Sequence, residues 1–118
     1  MIATIQPSIL QGELYAPASK SSMQRACAAA LAAGGTTVIK NPGHSNDDKA
    51  ALGVIDALGA TVEQTDELIT IKSTGIHARG NAVHCGESGL GIRMFTPLVA
   101  MNAGEISITG EGSLGSRP

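Results

Sequence analysis

Residues 17–40 read PASKSSMQRACAAALAAGGTTVIK, and this stretch sets the pattern for the rest of the chain. A serine at position 19 or 21 can cap a helix, because its side-chain oxygen accepts a hydrogen bond from a backbone N–H of the first turn. Alanine, the best helix former, dominates the segment up to Ala33. Gly34 and Gly35 end the helix, and the β-branched run Thr36–Lys40 predicts a strand.

The same signals recur downstream. Ser45 or Asn46 can cap a second helix that ends at Leu58-Gly59. A third helix runs to about Ala103, with a kink or early break expected at Pro97 because proline has no N–H to donate. Strands are predicted at Ala3–Gln6, Glu13–Ala16, Thr61–Gln64, Leu68–Lys72, Ala82–Cys85 and Glu105–Thr109. This order of elements predicts an α/β (α+β) protein.

Landmarks of the first helix and strand recur 68 or 69 residues later. The matching pairs are Arg25 and Arg93, Gly35 and Gly104, and Ile39 and Ile108. Such spacing predicts a duplicated unit. Continuing the offset maps Asp48 onto Arg117, inside the second unit. We therefore expect a fragment of a longer protein, the alternative being that another copy of the chain supplies the missing elements.

Composition narrows the class of protein. With 118 residues the chain is long enough for one domain, and its 2% aromatic content leaves a core of Ala, Val, Ile and Leu. A net charge of −2 argues against nucleic acid as a partner. No apolar run reaches the roughly 18 residues that a membrane span needs, and the N-terminus lacks signal-peptide features. Cys27 and Cys85 suit buried thiols in a reducing cytoplasm.

Four of the eight basic residues lie at or near predicted helix starts: Lys20, Arg25, Arg93 and Arg117. Cations are unfavourable there, because a helix N-terminus already carries partial positive charge. Their placement makes sense if an anion binds among them and among the exposed N–H groups. The set therefore favours an anionic small-molecule ligand over four solvated surface cations.

Three segments can carry this chemistry. In the first, Pro17–Arg25, the side chains of Lys20 and Arg25 diverge by roughly 140° on a helix and can contact opposite sides of a ligand. Ser21 can donate a hydrogen bond to a phosphate. The alternative for this segment is a core helix with two snorkelling cations. The second, Gly86–Arg93, lets backbone approach a ligand but matches neither a Walker loop nor a dinucleotide motif. The third, Gly110–Pro118, is either a loop that delivers an arginine to a carboxylate or a frayed terminus.

The three histidines are not spaced as metal ligands with each other or with either cysteine: His44, His77 and His84.

Together these segments resemble the EPSP synthase family, the 3-phosphoshikimate 1-carboxyvinyltransferases. The family's Pro-Gly-Ser-Lys-Ser…Asn-Arg motif is matched by Pro17–Arg25, and its Ser-Asp-Asp element by Asn46–Asp48. Gly-Asn-Ala-Gly-Thr-Ala-Met-Arg is matched by Gly86–Arg93, and a Gly-Glu…Arg-Pro ending by Gly110–Pro118. The sequence departs from these motifs at Ala18 for Gly, Glu87 for Asn and Leu90 for Thr; the last two bear on phosphoenolpyruvate affinity and on the response to glyphosate.

The resemblance implies roles for individual residues. Lys20, Ser21 and Arg25 are expected to bind shikimate 3-phosphate, and Lys20 also to contact phosphoenolpyruvate and act as the catalytic residue in proton transfer. Gly89 and Arg117 are expected to hold phosphoenolpyruvate. The implied reaction transfers an enolpyruvyl group to a shikimate hydroxyl through a tetrahedral intermediate, with no metal and no organic cofactor.

The resemblance also implies a fold, an inside-out α/β barrel of repeated βαβαββ units. We expect opening strands in residues 1–16 that pair with another domain, a first unit in 17–85 and the start of a second in 86–118. Family members are usually monomeric, whereas this chain is expected to be inactive alone, to bind its ligands weakly and to be able to self-associate.

Two other functions remain open at this point. One is a UDP-N-acetylglucosamine enolpyruvyl transferase, which shares the fold but starts with Lys-Asn where this chain has Lys20-Ser21. The other is a non-catalytic anion-binding or assembly module of the same architecture.

Overall fold

The computed structural model describes residues 1–116. They form three helices, five strands and one 3₁₀ turn. The helices are α1 (Lys20–Ala33), α2 (Asn46–Ala57) and α3 (Gly89–Val99), and the 3₁₀ turn is Gly112–Ser116. The strands are β1 (Gly35–Lys40), β2 (Thr61–Gln64), β3 (Leu68–Ser73), β4 (Ala82–His84) and β5 (Ser107–Thr109).

Helix α1 has the caps that its sequence predicts. The backbone N–H of Ser22 donates to Ser19 Oγ at 3.3 Å, which makes Ser19 the N-cap. At the other end Gly34 and Gly35 have φ values of 71° and 76°. Only glycine adopts this left-handed region without strain. The chain therefore turns from the helix directly into β1.

Helix α2 begins with a reciprocal capping box. The N–H of Asp48 donates to Ser45 Oγ at 3.2 Å, and the N–H of Ser45 donates to Asp48 Oδ2 at 3.0 Å. Asp48 is 1% exposed, and a Cβ at Gly43 would lie 2.3 Å from its Oδ2. The buried carboxylate therefore fixes the turn before α2 as well as the helix start.

The main sheet is antiparallel, with strand order β1-β3-β2. Successive side chains of a strand point to opposite faces. On β3, Ile69 and Ile71 are fully buried beneath the helices, whereas Val38 on β1 is 52% exposed on the opposite face. One face of the sheet therefore contributes to the core and the other meets solvent.

A second, smaller sheet pairs β4 with β5 in parallel, with α3 as the crossover between them. This pairing joins strands on either side of the boundary expected between residues 85 and 86. The N-caps of the two equivalent helices, Ser19 and Ser88, are 69 positions apart, the offset predicted for the repeat.

The core lies where α1 meets α2, α3 and β3. It is built from aliphatic side chains and one aromatic ring, that of Phe95, which is fully buried. Its largest aliphatic members are Leu31, Ile55, Leu58, Ile69 and Ile71. Within residues 1–116 no helix is long and apolar enough to cross a membrane.

The predicted opening strands do not form, and residues 1–19 contain no helix or strand. A strand requires a partner for its N–H and C=O groups, and no described strand pairs with Ala3–Gln6 or Glu13–Ala16. The segment extends away from the core, which raises the radius of gyration to 16.9 Å. A compact domain of this size would have a value of about 13 Å.

Helix α3 ends at Val99, two residues after Pro97, rather than near Ala103. Proline removes one N–H from the helix ladder. The chain then leaves the helix through tighter bonds, from Met101 N to Leu98 O at 3.1 Å and from Asn102 N to Val99 O at 3.0 Å. The early break expected from the sequence is therefore confirmed.

The two thiols offer a probe of folding. Burial, with a smaller effect of the Asp48 charge, raises the pKa of Cys27 to about 12, and burial also raises the pKa of Cys85. At pH 8 both thiols therefore stay protonated, whereas the thiolate is the reactive form. We expect a disulfide reagent such as DTNB to label neither cysteine in the folded protein and both in guanidinium chloride. Rapid labelling of a Cys85→Ala variant under native conditions would contradict the burial of Cys27.

The two N-caps predict different losses of stability. Ser45→Ala breaks a reciprocal box, whereas Ser19→Ala removes a single bond of 3.3 Å. Loss of a cap typically costs about 0.5–2 kcal/mol. We expect Ser45→Ala near the top of that range and Ser19→Ala near the bottom, measured by urea unfolding followed by circular dichroism. Equal losses of unfolding free energy in the two variants would argue against a special role for the capping box of α2.

Candidate anion-binding site

The N-termini of all three helices meet at one end of the molecule, and each is capped by a serine, at Ser19, Ser45 and Ser88. An ion pair between Lys20 Nζ and Asp47 Oδ2, at 2.8 Å, joins the starts of α1 and α2. Helix N-termini present unpaired N–H groups and partial positive charge. Their convergence therefore creates a region suited to anions.

Lys20 is the first residue of α1, and its side chain is 54% exposed. It lines a cavity of about 350 Å³ between the chain entering α1 and the turn before α2, together with Pro17, Pro42, His44 and Asp48. The ion pair with Asp47 holds the ammonium beside this cavity. An incoming anion would share the ammonium with that carboxylate.

Ser21 and Arg25 lie on a different side of α1. Ser21 is half-buried and Arg25 is exposed. Residues four apart on a helix are surface neighbours, and Gln24, which lies between these two, contacts Ser88 at the start of α3. The contact of Gln24 with Ser88 joins the first turns of α1 and α3, and the ion pair of Lys20 with Asp47 joins α1 to α2.

Lys20, Ser21 and Arg25 are therefore close along α1, but they do not all line one cavity. Arg25 is not among the described residues that line the cavity beside Lys20. Gly89 is the first residue of α3 and is half-buried. Arg93 is exposed one turn further along α3. Arg117 lies outside the described residues.

A second cavity, of about 500 Å³, is acidic. Asp47, Glu87 and Glu111 line it together with His84. Sequence pattern does not predict this cavity, although two of its lining residues are Asp47, within the Asn46–Asp48 element, and Glu87, a departure from the motif. Among residues 1–116 no group of three or more His, Cys, Asp or Glu side chains is arranged to hold a metal ion.

Glu87 reaches from the start of α3 to the 3₁₀ turn. Its Oε2 accepts from the Ser113 hydroxyl at 3.2 Å and from the Ser113 N–H at 3.4 Å. Gly112, with φ of 56°, passes so close that a Cβ would lie 2.3 Å from the carboxyl carbon of Glu87. Glu111 N also donates to Gly86 O at 2.9 Å. The glycine-rich loop is therefore tied to the Gly86–Gly89 segment.

Local sequence pattern does not identify Gln24 as part of this region. It is fully buried, and its Oε1 accepts from the Ser88 hydroxyl at 2.8 Å. The only hint available was its position, directly before Arg25 and at the asparagine of the family motif. Burial of a glutamine inside an alanine-rich helix depends on tertiary packing that local pattern does not reveal.

Comparison with known proteins places this geometry in a family. The family model for EPSP synthase (3-phosphoshikimate 1-carboxyvinyltransferase) matches residues 5–118. The 3-phosphoshikimate 1-carboxyvinyltransferase of Methanocorpusculum labreanum is 37% identical over 117 residues, which are 97% of this chain and 28% of the relative. That of Natronomonas pharaonis is 38% identical over 122 residues, covering 100% of this chain and 27% of the relative.

A solved structure agrees. The EPSP synthase from Acinetobacter baumannii superposes with a TM-score of 0.80 and 26% sequence identity, over 91% of this chain and 25% of that one. The chain thus spans between 25% and 28% of the length of these relatives. On the matched motifs, the family model and the shared fold, this chain belongs to the EPSP synthase family.

Proposed function

We propose that this chain supplies the shikimate 3-phosphate site, and part of the phosphoenolpyruvate site, of a 3-phosphoshikimate 1-carboxyvinyltransferase. The observation that carries the proposal is the meeting of the α1 and α3 N-termini through the buried Gln24–Ser88 contact, on the same helix that carries Lys20, Ser21 and Arg25. Two helix starts and two cations favour a dianionic phosphate. Arginine and serine are suited to phosphate oxygens, because both donate hydrogen bonds and the guanidinium is permanently charged.

The proposed division of labour follows the motif matches and, for Lys20, its ion pair with Asp47. Ser21 and Arg25 bind the phosphate of shikimate 3-phosphate. Lys20, turned toward α2, lies between that substrate and phosphoenolpyruvate. The backbone N–H of Gly89 and the side chain of Arg117 bind phosphoenolpyruvate.

In the proposed reaction a shikimate hydroxyl oxygen bonds to C2 of phosphoenolpyruvate, while the methylene carbon gains a proton and the hydroxyl loses one. The resulting tetrahedral intermediate then loses phosphate from C2 and a proton from the new methyl group, which restores the double bond. Lys20 stabilises the negative charge of the bound substrates as they react, and it holds a proton near the reacting carbons.

We further propose that the protein works in the cytoplasm. Cys27 and Cys85 are both free and buried. Unpaired structural thiols of this kind are typical of a reducing compartment.

The proposal predicts which cations matter for binding. Lys20 and Lys72 are matched, because each forms a 2.8 Å ion pair and their side chains are 54% and 53% exposed. We expect Lys20→Ala and Arg25→Ala each to weaken shikimate 3-phosphate binding about tenfold or more, corresponding to about 1.4 kcal/mol. Lys72→Ala should leave the affinity unchanged. NMR titration of the ¹⁵N-labelled chain measures all three.

The NMR chemical-shift changes caused by shikimate 3-phosphate should concentrate at the amides of residues 20–22 and 89–91. Shikimate without the phosphate should bind far more weakly. Affinity should also fall with rising salt, since exposed charges are screened. Equal affinity of the Lys20→Ala and Lys72→Ala variants, or shifts spread evenly over the surface, would contradict the proposed site.

A further inference from the structure

Gln24 and Ser88 form a buried polar contact between helices α1 and α3. The two residues are 64 positions apart in sequence, and they are 0% and 1% exposed. The Ser88 hydroxyl donates to Gln24 Oε1 at 2.8 Å and accepts from the N–H of Gly91 at 2.9 Å. A contact of this kind between two helix starts can hold them in one relative position.

With Gln24 Oε1 facing Ser88, the direction of these hydrogen bonds follows from the groups involved. The N–H of Gly91 can only donate, so Ser88 Oγ must accept from it. The single hydroxyl hydrogen of Ser88 is then left for Gln24 Oε1, which can only accept. The chain runs from Gly91 N–H through the Ser88 hydroxyl to the Gln24 carbonyl, and each bond polarises the next.

Packing around the contact leaves little room for adjustment. A Cβ at Gly91 would lie 2.9 Å from Ser88 Oγ and 3.7 Å from Gln24 Oε1. An unmatched polar group at such a buried position is unfavourable, because it loses water without gaining a partner. The start of α3 therefore has one preferred position against α1.

The proposed ligand groups flank this contact. Ser21 precedes Gln24 by three residues and Arg25 follows it directly, while Gly89 follows Ser88 directly. We infer that Gln24 and Ser88 are positioning residues, an inference that rests on the function proposed above. Their hydrogen bond holds the Gly89 amide and the Ser21 and Arg25 side chains against one bound ligand.

The two positions differ together from the family motifs. Gln24 stands where the motif has asparagine, and Ser88 where it has alanine. Alanine has no hydroxyl that requires an acceptor. The amide oxygen of Gln24 and the hydroxyl of Ser88 thus pair in this chain, while Gln24 Nε2 is buried with no hydrogen-bond partner among the described residues. Gln24→Asn leaves the Ser88 hydroxyl without its acceptor, whereas the double variant Gln24→Asn/Ser88→Ala removes the unmatched hydroxyl as well.

The test is a mutant cycle of Ser88→Ala, Gln24→Asn and the double variant, read by the affinity for shikimate 3-phosphate in NMR titration and by urea unfolding. Ser73→Ala is the matched control. Its hydroxyl is also buried, at 6% exposure, and also joins α1 to another element, donating to Leu31 O at 2.8 Å near the opposite end of the helix.

We expect Ser88→Ala and Gln24→Asn each to weaken binding about tenfold, since small misplacements of ligand-binding groups have large effects. The double variant should bind no more weakly than Gln24→Asn alone. Ser73→Ala should lower the urea midpoint comparably while leaving affinity unchanged.

If Ser88→Ala and Gln24→Asn remain folded and bind as tightly as the wild type, the positioning role is refuted and the proposed function stands. Affinity losses that merely track the urea midpoint, Ser73→Ala included, would also refute it. If the wild-type chain itself shows no shifts with shikimate 3-phosphate, the proposed function fails and the positioning role fails with it.

Discussion

Close packing of the alanine-rich helix α1 is the constraint on which the rest of the structure depends. The helix contacts α2, α3, β1 and β3, and small buried side chains such as Ala28 and Ala30 let these elements approach it closely. Protein interiors of this density do not deform freely. Because α1 is held from several sides, its first turn has a defined place relative to the other two helix starts. The geometry of the anion site is therefore a product of core packing.

The site balances positive charge with internal acids. Asp47 pairs with Lys20, and Glu87 accepts hydrogen bonds from Ser113, so each carboxylate also holds a structural element in place. Acids at helix starts are favourable in the absence of a ligand. These carboxylates keep the region stable while it is empty, and a bound anion must compete with them.

Local sequence signals at the helix ends predicted much of the secondary structure. Ser19, Ser45 and the glycine pair at 34–35 define helix ends through contacts within a few residues, so the bounds of α1 and α2 could be read from the sequence. Contacts between residues that are distant in sequence could not be predicted in this way. The opening strands failed because pairing depends on another strand, and the roles of Gln24 and Asp47 in joining helices depend on tertiary packing. Sequence therefore predicted cations for a candidate site but not the contacts between the helices that carry them, and Arg117 lies outside the described residues.

The first nineteen residues have a consequence for how this protein behaves in solution. Their aliphatic side chains stand almost fully in water: Ile2, Ile5, Ile9, Leu10 and Leu14 are 86–95% exposed. Water disfavours such surface by about 25 cal/mol for each Å². Any apolar surface that covers the segment, whether chaperone, chromatography resin or neighbouring molecule, will therefore be bound in preference to solvent. Covering these side chains is thus a favourable free-energy change that is open to residues 1–19 in addition to any backbone pairing.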